Sequence, residues 1–252
     1  MIEYSIVIPA YNEADKITTT LTQIISYMRT FSNSFEIVVV DDGSKDNTAD
    51  IVEKYLENNS CPEIKLIRNV HKGKGPAVWA GVMNSEGDYI YTADADLSTP
   101  MTELKKLSIW VKDHNFDIVI ASREGAGAQR IDEPFYRHIM GRVFNYVVQI
   151  FALPGIKDSQ CGFKLFKKDA AKKVFKKLKI YGEIAKPTDK PFLGAWDVEV
   201  LYLARKLGYR IKEVPVTWVY VKTTRLSPVK DSLKMFFDVM KVRINYFKGF
   251  YK

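Results

Sequence analysis

The chain has 252 residues, 46% hydrophobic and 27% charged, with 14 Gly and 10 Pro. This is ordinary globular composition: it excludes a disordered or collagen-like chain and suits one large α/β domain. Lys and Arg (38) outnumber Asp and Glu (30), a net charge of +8 that favours anionic partners such as nucleotide phosphates, anionic lipid or nucleic acid without choosing among them.

Cys61 and Cys161 form neither a disulfide framework nor a metal-ligand spacing, and both are read as free thiols of a reducing compartment. Met1-Ile2-Glu3-Tyr4 lacks the basic start of a secretory signal, so no signal peptide is expected. Val143 to Ile156 is the best apolar stretch, but it contains Asn145 and Gln149. It falls short of the roughly 20 apolar residues that cross a bilayer. The chain is not expected to span a membrane, although it can lie on one.

In chain order, Ser5-Ile6-Val7-Ile8 reads as a strand ended by Pro9. Ile17, Leu21, Ile24, Ile25 and Met28 then recur at helical spacing. Phe35 to Val40 is a second strand, closed by Asp41-Asp42-Gly43, and Ile51, Val52, Tyr55 and Leu56 mark a second helical face. Ile64 to Ile67, Tyr89 to Tyr91 and Ile118 to Ile120 are three further strands. Thr99 suits an N-cap, Pro100 the first helical position and Glu103 the first turn. Continuous apolar strands alternating with helices predict a mostly parallel sheet covered on both faces. Beyond about Ser122 the pattern changes. A Gly/Ala-rich loop (124–133) precedes a helix from Tyr136 to Leu153, a compact Asp158 to Phe166 segment, a Lys-rich helix, a loop from Gly182 to Gly194, and a final helix from about Val229 to Tyr251. There is no internal repeat and no linker to a second independent domain.

In such sheets ligands bind beyond the carboxyl ends of the strands. Four polar clusters sit there: Pro9 to Glu13, Asp41 to Ser44, Asp94-Ala95-Asp96, and Ser122-Arg123. Asp-x-Asp leaving a strand puts two carboxylates on one side. A hard divalent cation completed by phosphate oxygens and water would relieve their repulsion; two surface aspartates capping a helix are the plain alternative. The three other polar strand ends favour the site.

With these residues in view, the chain resembles the family 2 glycosyltransferases of the GT-A (Rossmann-like) fold. The resemblance rests on "IVIPAYNE", "VVVDDGSKDNT", "HKGKGPAVWAG", "DADLS", "ASR", "DSQCGFKLF" and "WDVEVLYLARKLGYRIKEVPVTW", in family order across nearly the whole chain. The last two segments look most like polyprenyl-phosphate glycosyltransferases, with dolichyl-phosphate glucosyltransferases first and dolichyl-phosphate mannose synthases next. The resemblance implies residues 1–228 as the catalytic domain, with a nucleotide-sugar half to about 123 and an acceptor half from about 124, and residues 229–252 as an amphipathic C-terminal helix.

It implies, further, that Pro9, Ala10, Tyr11 and Glu13 surround the base and ribose and that Asp42 contacts the base. Gly73 and Gly75 fall in a loop near the nucleotide, with Lys74 close to the phosphates. Asp94 matches a ribose or metal ligand, with Ala95 beside it, and Asp96 the principal ligand of Mg²⁺ or Mn²⁺. Arg123 falls beside the diphosphate. Ser98 stands where the mannose synthases often carry Gln, which leaves the third metal ligand open.

The implied reaction is inverting transfer of a sugar, glucose favoured and mannose next, from a nucleotide diphosphate sugar such as UDP-glucose to polyprenyl phosphate. Developing charge on the diphosphate would be met by the metal and by Arg123 or Lys74. Asp158 matches a position proposed as the base. A phosphate acceptor, with a second pKa near 6, is already ionised and does not strongly need one, so Asp158 is expected to orient groups. Asp197 and Glu199 are further carboxylates, with stabilisation of a helix N-terminus as the alternative for Asp197. Lys164 and Arg205 are candidates for the acceptor phosphate, with a solvated helix face the reading preferred for Arg205. Cys161 is read as packing, Trp79 and Trp110 as core, and His71, His114 and His138 as surface or loop residues.

Val229, Leu233, Phe236, Phe237, Met240, Ile244, Phe247 and Tyr251 form one apolar stripe beside a basic face, with seven Lys or Arg from Arg225 onward. In the helix before it, Met140, Val143, Phe144, Val147 and Phe151 oppose Arg137, Arg142, Asn145 and Gln149. Such helices fit a membrane interface, and packing on the core or a partner subunit is the alternative. The lysines between Lys164 and Lys179 would add attraction to anionic lipid. A peripheral position at the cytoplasmic face of a membrane is therefore expected. The rival is a soluble family 2 enzyme acting on a glycan or other hydroxyl acceptor. Nucleic acid is not expected as a partner, since basic and aromatic residues do not interleave on a sheet face.

Overall fold

The computed structural model describes residues 1–189, 194–221 and 228–251, the side chains of 228–231 excepted. The expectations on Arg225 and on the side chain of Val229 lie outside the described residues, as does part of the 182–194 loop. Five strands form where they are expected: β1 (Tyr4–Ala10), β2 (Phe35–Asp41), β3 (Ile64–Arg68), β4 (Tyr89–Thr92) and β5 (Ile118–Ser122). A short β6 (Gln129–Ile131), then β7 (Lys164–Lys167), β8 (Ile211–Pro215) and β9 (Thr217–Val219) follow. The main sheet runs β3-β2-β1-β4-β7-β5-β8, and β6 pairs with β9. Only β7 runs antiparallel to its sheet neighbours. The expected mostly parallel sheet is therefore present.

The strands are apolar throughout because both faces are covered. Val7, Val38 and Val40 enter one core and Ile6, Ile8, Ile37 and Val39 the other, as a period of two requires. Helices α1 (Ile17–Phe31), α2 (Thr48–Asn59) and α4 (Leu104–Lys112) supply the second core. The first takes α3 (Lys74–Asn84), α6 (Lys168–Lys176), α7 (Trp196–Lys206) and parts of α5 (Phe135–Phe151) and α8 (Pro228–Phe247). Strand order reverses between β1 and β4, the switch point at which open α/β sheets bind ligands.

Three local expectations are corrected. Thr99 does not cap a helix: Pro100 is extended (ψ 145°) ahead of a 3₁₀ turn, Met101–Glu103, that leads into α4. Asn145 on α5 is buried with Phe144 and Val148, whereas Val143 is exposed beside Phe135, Ile139, Tyr146 and Ile150. The helix is thus rotated from the expected face, because a short segment with apolar residues on several sides does not specify which side is covered. On α8, Leu233, Phe237, Ile244 and Phe247 are exposed as the stripe suggests, but Tyr251, the stripe's last residue, lies past the end of the helix and is buried. There Tyr251 donates its hydroxyl to Glu199 Oε1 at 2.7 Å. The described residues contain no helix long and apolar enough to cross a membrane.

Candidate active site

A cleft of about 270 Å³ opens at the switch point. Pro9, Ala10, Tyr11 and Glu13 after β1, Asp42 after β2, Gly73 and Lys74 at the start of α3, Asp94, Ala95 and Asp96 after β4, and Arg123 after β5 all line it.

The loops after β1 and β2 brace one another. The Asn12 N–H donates to Ser44 Oγ (2.9 Å), the Lys45 N–H to Asn12 Oδ1 (2.7 Å) and the Glu13 N–H to Thr48 Oγ1 (2.8 Å). Asp42 is engaged within the protein: the N–H groups of Lys72 and Gly73 donate to Oδ1 and Oδ2 at 2.9 and 2.8 Å, and His71 Nδ1 lies 2.7 Å from Oδ2. Burial outweighs these bonds and raises the Asp42 pKa. His71, read from sequence as a surface or loop residue, has a side chain only 10% exposed and stacks on Tyr11 with ring centroids 4.0 Å apart. No spacing rule exposes this role, since Asp42, His71 and Tyr11 meet only when three loops converge.

Gly73 (φ 97°) turns the chain into α3. Lys74, the first helical residue, ion-pairs with Asp94 Oδ1. Burial alone would lower the Lys74 pKa, but Asp94, Asp197 and Asp96 raise it. Burial favours the neutral form of Asp94, yet Lys74, Lys164 and Arg123 hold it below the usual carboxylate range. Gly162 is pressed against this carboxylate: a Cβ there would lie 2.5 Å from both oxygens. Gly75 faces away from the cleft, where a Cβ would meet Tyr181 at 2.7 Å and Trp196 at 2.8 Å. Its place is a packing one.

Among the described residues Asp96 is tied through Oδ1 alone, which accepts from the Ser98 N–H (3.0 Å) and Oγ–H (2.6 Å). Among the described residues no three His, Cys, Asp or Glu side chains group as a metal site. Two carboxylates lining one cleft, each with an oxygen to spare, fit a hard cation that shares its remaining positions with a bound diphosphate.

β7 explains how the two halves of the site meet. Running antiparallel, it begins at the edge where β4 and β5 end, with Lys164 opposite Thr92 and Ile120. The residues just before it therefore reach Arg123. Arg123 donates from Nε to Asp158 Oδ2 (2.8 Å) and from Nη2 to Oδ1 (2.9 Å), and its main-chain N–H adds a third bond (2.9 Å). Burial opposes ionisation of Asp158, but Arg123 holds the carboxyl down at about 2. A group so acidic and so fully bonded orients Arg123 and has little basicity for proton abstraction.

Lys164 is corrected as a candidate for the acceptor phosphate: it is wholly buried, paired with Asp197 Oδ1 at 2.7 Å. Burial raises the Asp197 pKa against the pull of Lys164 and Lys74. Glu199 accepts from the N–H groups of Lys179, Ile180 and Tyr181 and serves the fold. Arg205 is exposed, as preferred, and donates to the Pro154 carbonyl. Cys161 is buried and Trp79 and Trp110 are half-buried.

The cleft joins a second chamber of about 500 Å³ beneath α5 and α8. Lys74, Arg123, Arg137, Gln160, Trp218 and Tyr220 belong to both. Arg137 donates to the Tyr220 hydroxyl at 3.1 Å, and Arg123 lies 5.3 Å over the Trp218 ring. The sequence did not single these contacts out, because Trp218 ends a motif and Arg137 lies on α5, and only the fold brings them to Arg123 and Tyr220.

Residues 5–175 match the sequence pattern described as glycosyl transferase family 2. The chain belongs to that family. It is a glycosyltransferase with the expected GT-A fold. It is 34% identical to the dolichyl-phosphate beta-glucosyltransferase of Dictyostelium discoideum over 98% of this chain and 76% of that protein. The human protein of the same name is 30% identical, again over 98% and 76%. Among solved structures, a mannosyltransferase from Pyrobaculum calidifontis in complex with GDP-Man and Mn²⁺ superposes with a TM-score of 0.63 at 21% identity, covering 95% of this chain and 64% of that one. This glycosyltransferase thus spans under two thirds of that structure. A glucosyl-3-phosphoglycerate synthase from Mycobacterium tuberculosis, in complex with Mn²⁺, UDP-glucose and phosphoglyceric acid, gives 0.63 at 17% identity over 96% and 78%.

Proposed function

We propose that this glycosyltransferase moves a hexose, glucose in the first place and mannose next, from a nucleotide diphosphate sugar to the phosphate of a polyprenyl (dolichyl-type) lipid, with inversion. The observation that carries the reading is the junction of the two cavities. The shared wall is cationic at Lys74, Arg123 and Arg137, and the chamber beyond mixes charged side chains such as Arg130, Glu133 and Lys157 with the apolar Met140, Phe144, Trp196 and Met235. A phosphate suits the cationic junction, and the apolar side chains offer contact to the first units of a hydrocarbon chain. The names of the relatives at 30–34% identity support the same acceptor and sugar.

In this reading an acceptor phosphate oxygen forms the new bond to the anomeric carbon as the bond to the nucleotide diphosphate breaks on the opposite face. The acceptor is ionised near neutral pH and needs no base. Lys74 and the first N–H groups of α3 meet the leaving diphosphate. Arg123, fixed by Asp158, stands between donor and acceptor charges. Asp96 and Asp94 would hold Mg²⁺ or Mn²⁺, which when bound neutralises charge on the diphosphate. Asp42, His71 and Tyr11 form the wall proposed for the base and ribose.

The exposed apolar residues of α5 and α8 support a peripheral position on a membrane, where the acceptor resides. The two free cysteines accord with its cytoplasmic face.

A transfer assay tests the reading, with labelled UDP-glucose and GDP-mannose in parallel, with and without polyprenyl phosphate, in Mg²⁺ or Mn²⁺. Label should enter the organic phase with one donor, only when the lipid is present, and should be lost in Asp96→Ala. Label that moves instead to a soluble glycan or other hydroxyl acceptor overturns the acceptor assignment.

A further inference from the structure

Away from the catalytic cleft lies another cavity, of about 490 Å³, lined by Lys173, Lys176, Lys177, Lys179, Leu207, Tyr209 and Tyr251. Among the described residues no acidic side chain lines it. Lys173 pairs with Asp169 at 2.9 Å, and Lys177 Nζ donates to the Tyr251 carbonyl at 3.1 Å. The ammonium groups of Lys176 and Lys179, both exposed, have no partner among the described residues. One wall is the end of the chain's last helical segment, held down by the Tyr251–Glu199 bond. The residues leading into Tyr251 are aromatic and open to solvent: Phe247 is 74% exposed and Phe250 54%. Arg243 lies 5.2 Å over the Phe247 ring and Lys206 4.7 Å over that of Tyr246.

A basic cavity whose Tyr251 wall follows directly on the exposed Phe247 and Phe250 combines the two signals, charge and apolar area, that together anchor a protein on a bilayer. We propose that this cavity seats the anionic phosphate headgroup of a membrane lipid while Phe247 and Phe250 enter the acyl boundary. The site is distinct from the acceptor chamber. It deepens the membrane reading above and rests on it. It sets the orientation of the bound enzyme by a specific contact at one end of α8, rather than by diffuse positive charge.

Flotation of the full chain with phosphatidylcholine vesicles, with and without phosphatidylserine, tests this. Lys176→Gln/Lys179→Gln is compared with Lys54→Gln/Lys105→Gln, which removes the same charge from α2 and α4. Each lysine at the surface contributes about fivefold, so the first pair should weaken binding to anionic vesicles by about 25-fold while binding to neutral vesicles, thermal melting and transfer in detergent stay as in the parent. The control pair should change little. An equal loss in both pairs overturns the site in favour of diffuse charge. A loss of inorganic phosphate binding in the first pair, with no preference of the parent for anionic vesicles, overturns the headgroup in favour of free phosphate. If the parent floats with neither vesicle, this site and the peripheral position fail together, and transfer to polyprenyl phosphate in detergent remains a separate result.

Discussion

Arg123 is gripped by Asp158 through both carboxylate oxygens, at 2.8 and 2.9 Å, so its guanidinium plane is set before any substrate arrives. The pair also carries stability. Asp158 is held at about 2 against an ordinary 3.8, worth about 2 kcal/mol at neutral pH. Because the folded value is the lower one, this contribution is present above about pH 4 and is lost as the pH falls through about 2. Asp158→Asn should lower stability by about 3 kcal/mol, since Arg123 is left half-buried with a weaker partner. Acid unfolding of the variant and parent checks the sign: their stabilities should approach one another as the pH falls from about 4 to below about 2.

The same acidity shapes the pH profile of transfer. With Asp158 ionised throughout, the rate should rise only as the acceptor phosphate takes its second charge near pH 6 and then level off. A pH–rate profile with a second rise between about 7 and 8 would point to a protein base instead.

Asp96 and Asp94 should separate in their effects. Among the described residues Asp96 is bonded to Ser98 alone, so Asp96→Asn should leave the melting temperature nearly unchanged while transfer falls by about 10²- to 10³-fold. Asp94→Asn breaks the ion pair with Lys74 and should both weaken donor binding and lower stability. Calorimetry of nucleotide-sugar binding beside thermal melting distinguishes the two.

Two glycines supply a contrasting pair. In Gly75→Ala the new Cβ meets the Tyr181 and Trp196 side chains, an overpacking expected to cost about 1–3 kcal/mol. In Gly162→Ala the atoms nearest the new Cβ are those of the Asp94 carboxylate, so donor affinity should suffer more than stability.

Removing the Tyr251 hydroxyl tests whether α8 is anchored from its far end. Tyr251→Phe takes away the bond to Glu199 and should cost about 1 kcal/mol. Hydrogen exchange should then quicken along the last turns of α8, with the sheet unaffected. Deleting 229–252 is a poorer test of membrane binding, because Val239, Val242 and Tyr251 belong to the core; Phe247→Glu leaves that core intact.

The amino-acid sequence by itself determined the five apolar strands, the mostly parallel sheet, and the polar residues at the strand ends. It did so because burial on both faces demands unbroken apolar runs, and any residue that follows such a run must emerge at the carboxyl edge. Tyr11, Asp42, Lys74, Asp94 and Arg123 were legible on those grounds and through the motifs that contain them. Only the tertiary structure decided what depends on pairing between distant segments. The antiparallel insertion of β7 carries Asp158 to Arg123 and turns Lys164 inward onto Asp197. The convergence of three loops stacks His71 on Tyr11 and closes it over Asp42. The docking of α5 covers Asn145 and leaves Val143 bare. In each case the local pattern admits more than one partner or face, and the choice is made by the contacts that bury the most apolar surface without leaving a charge unpaired.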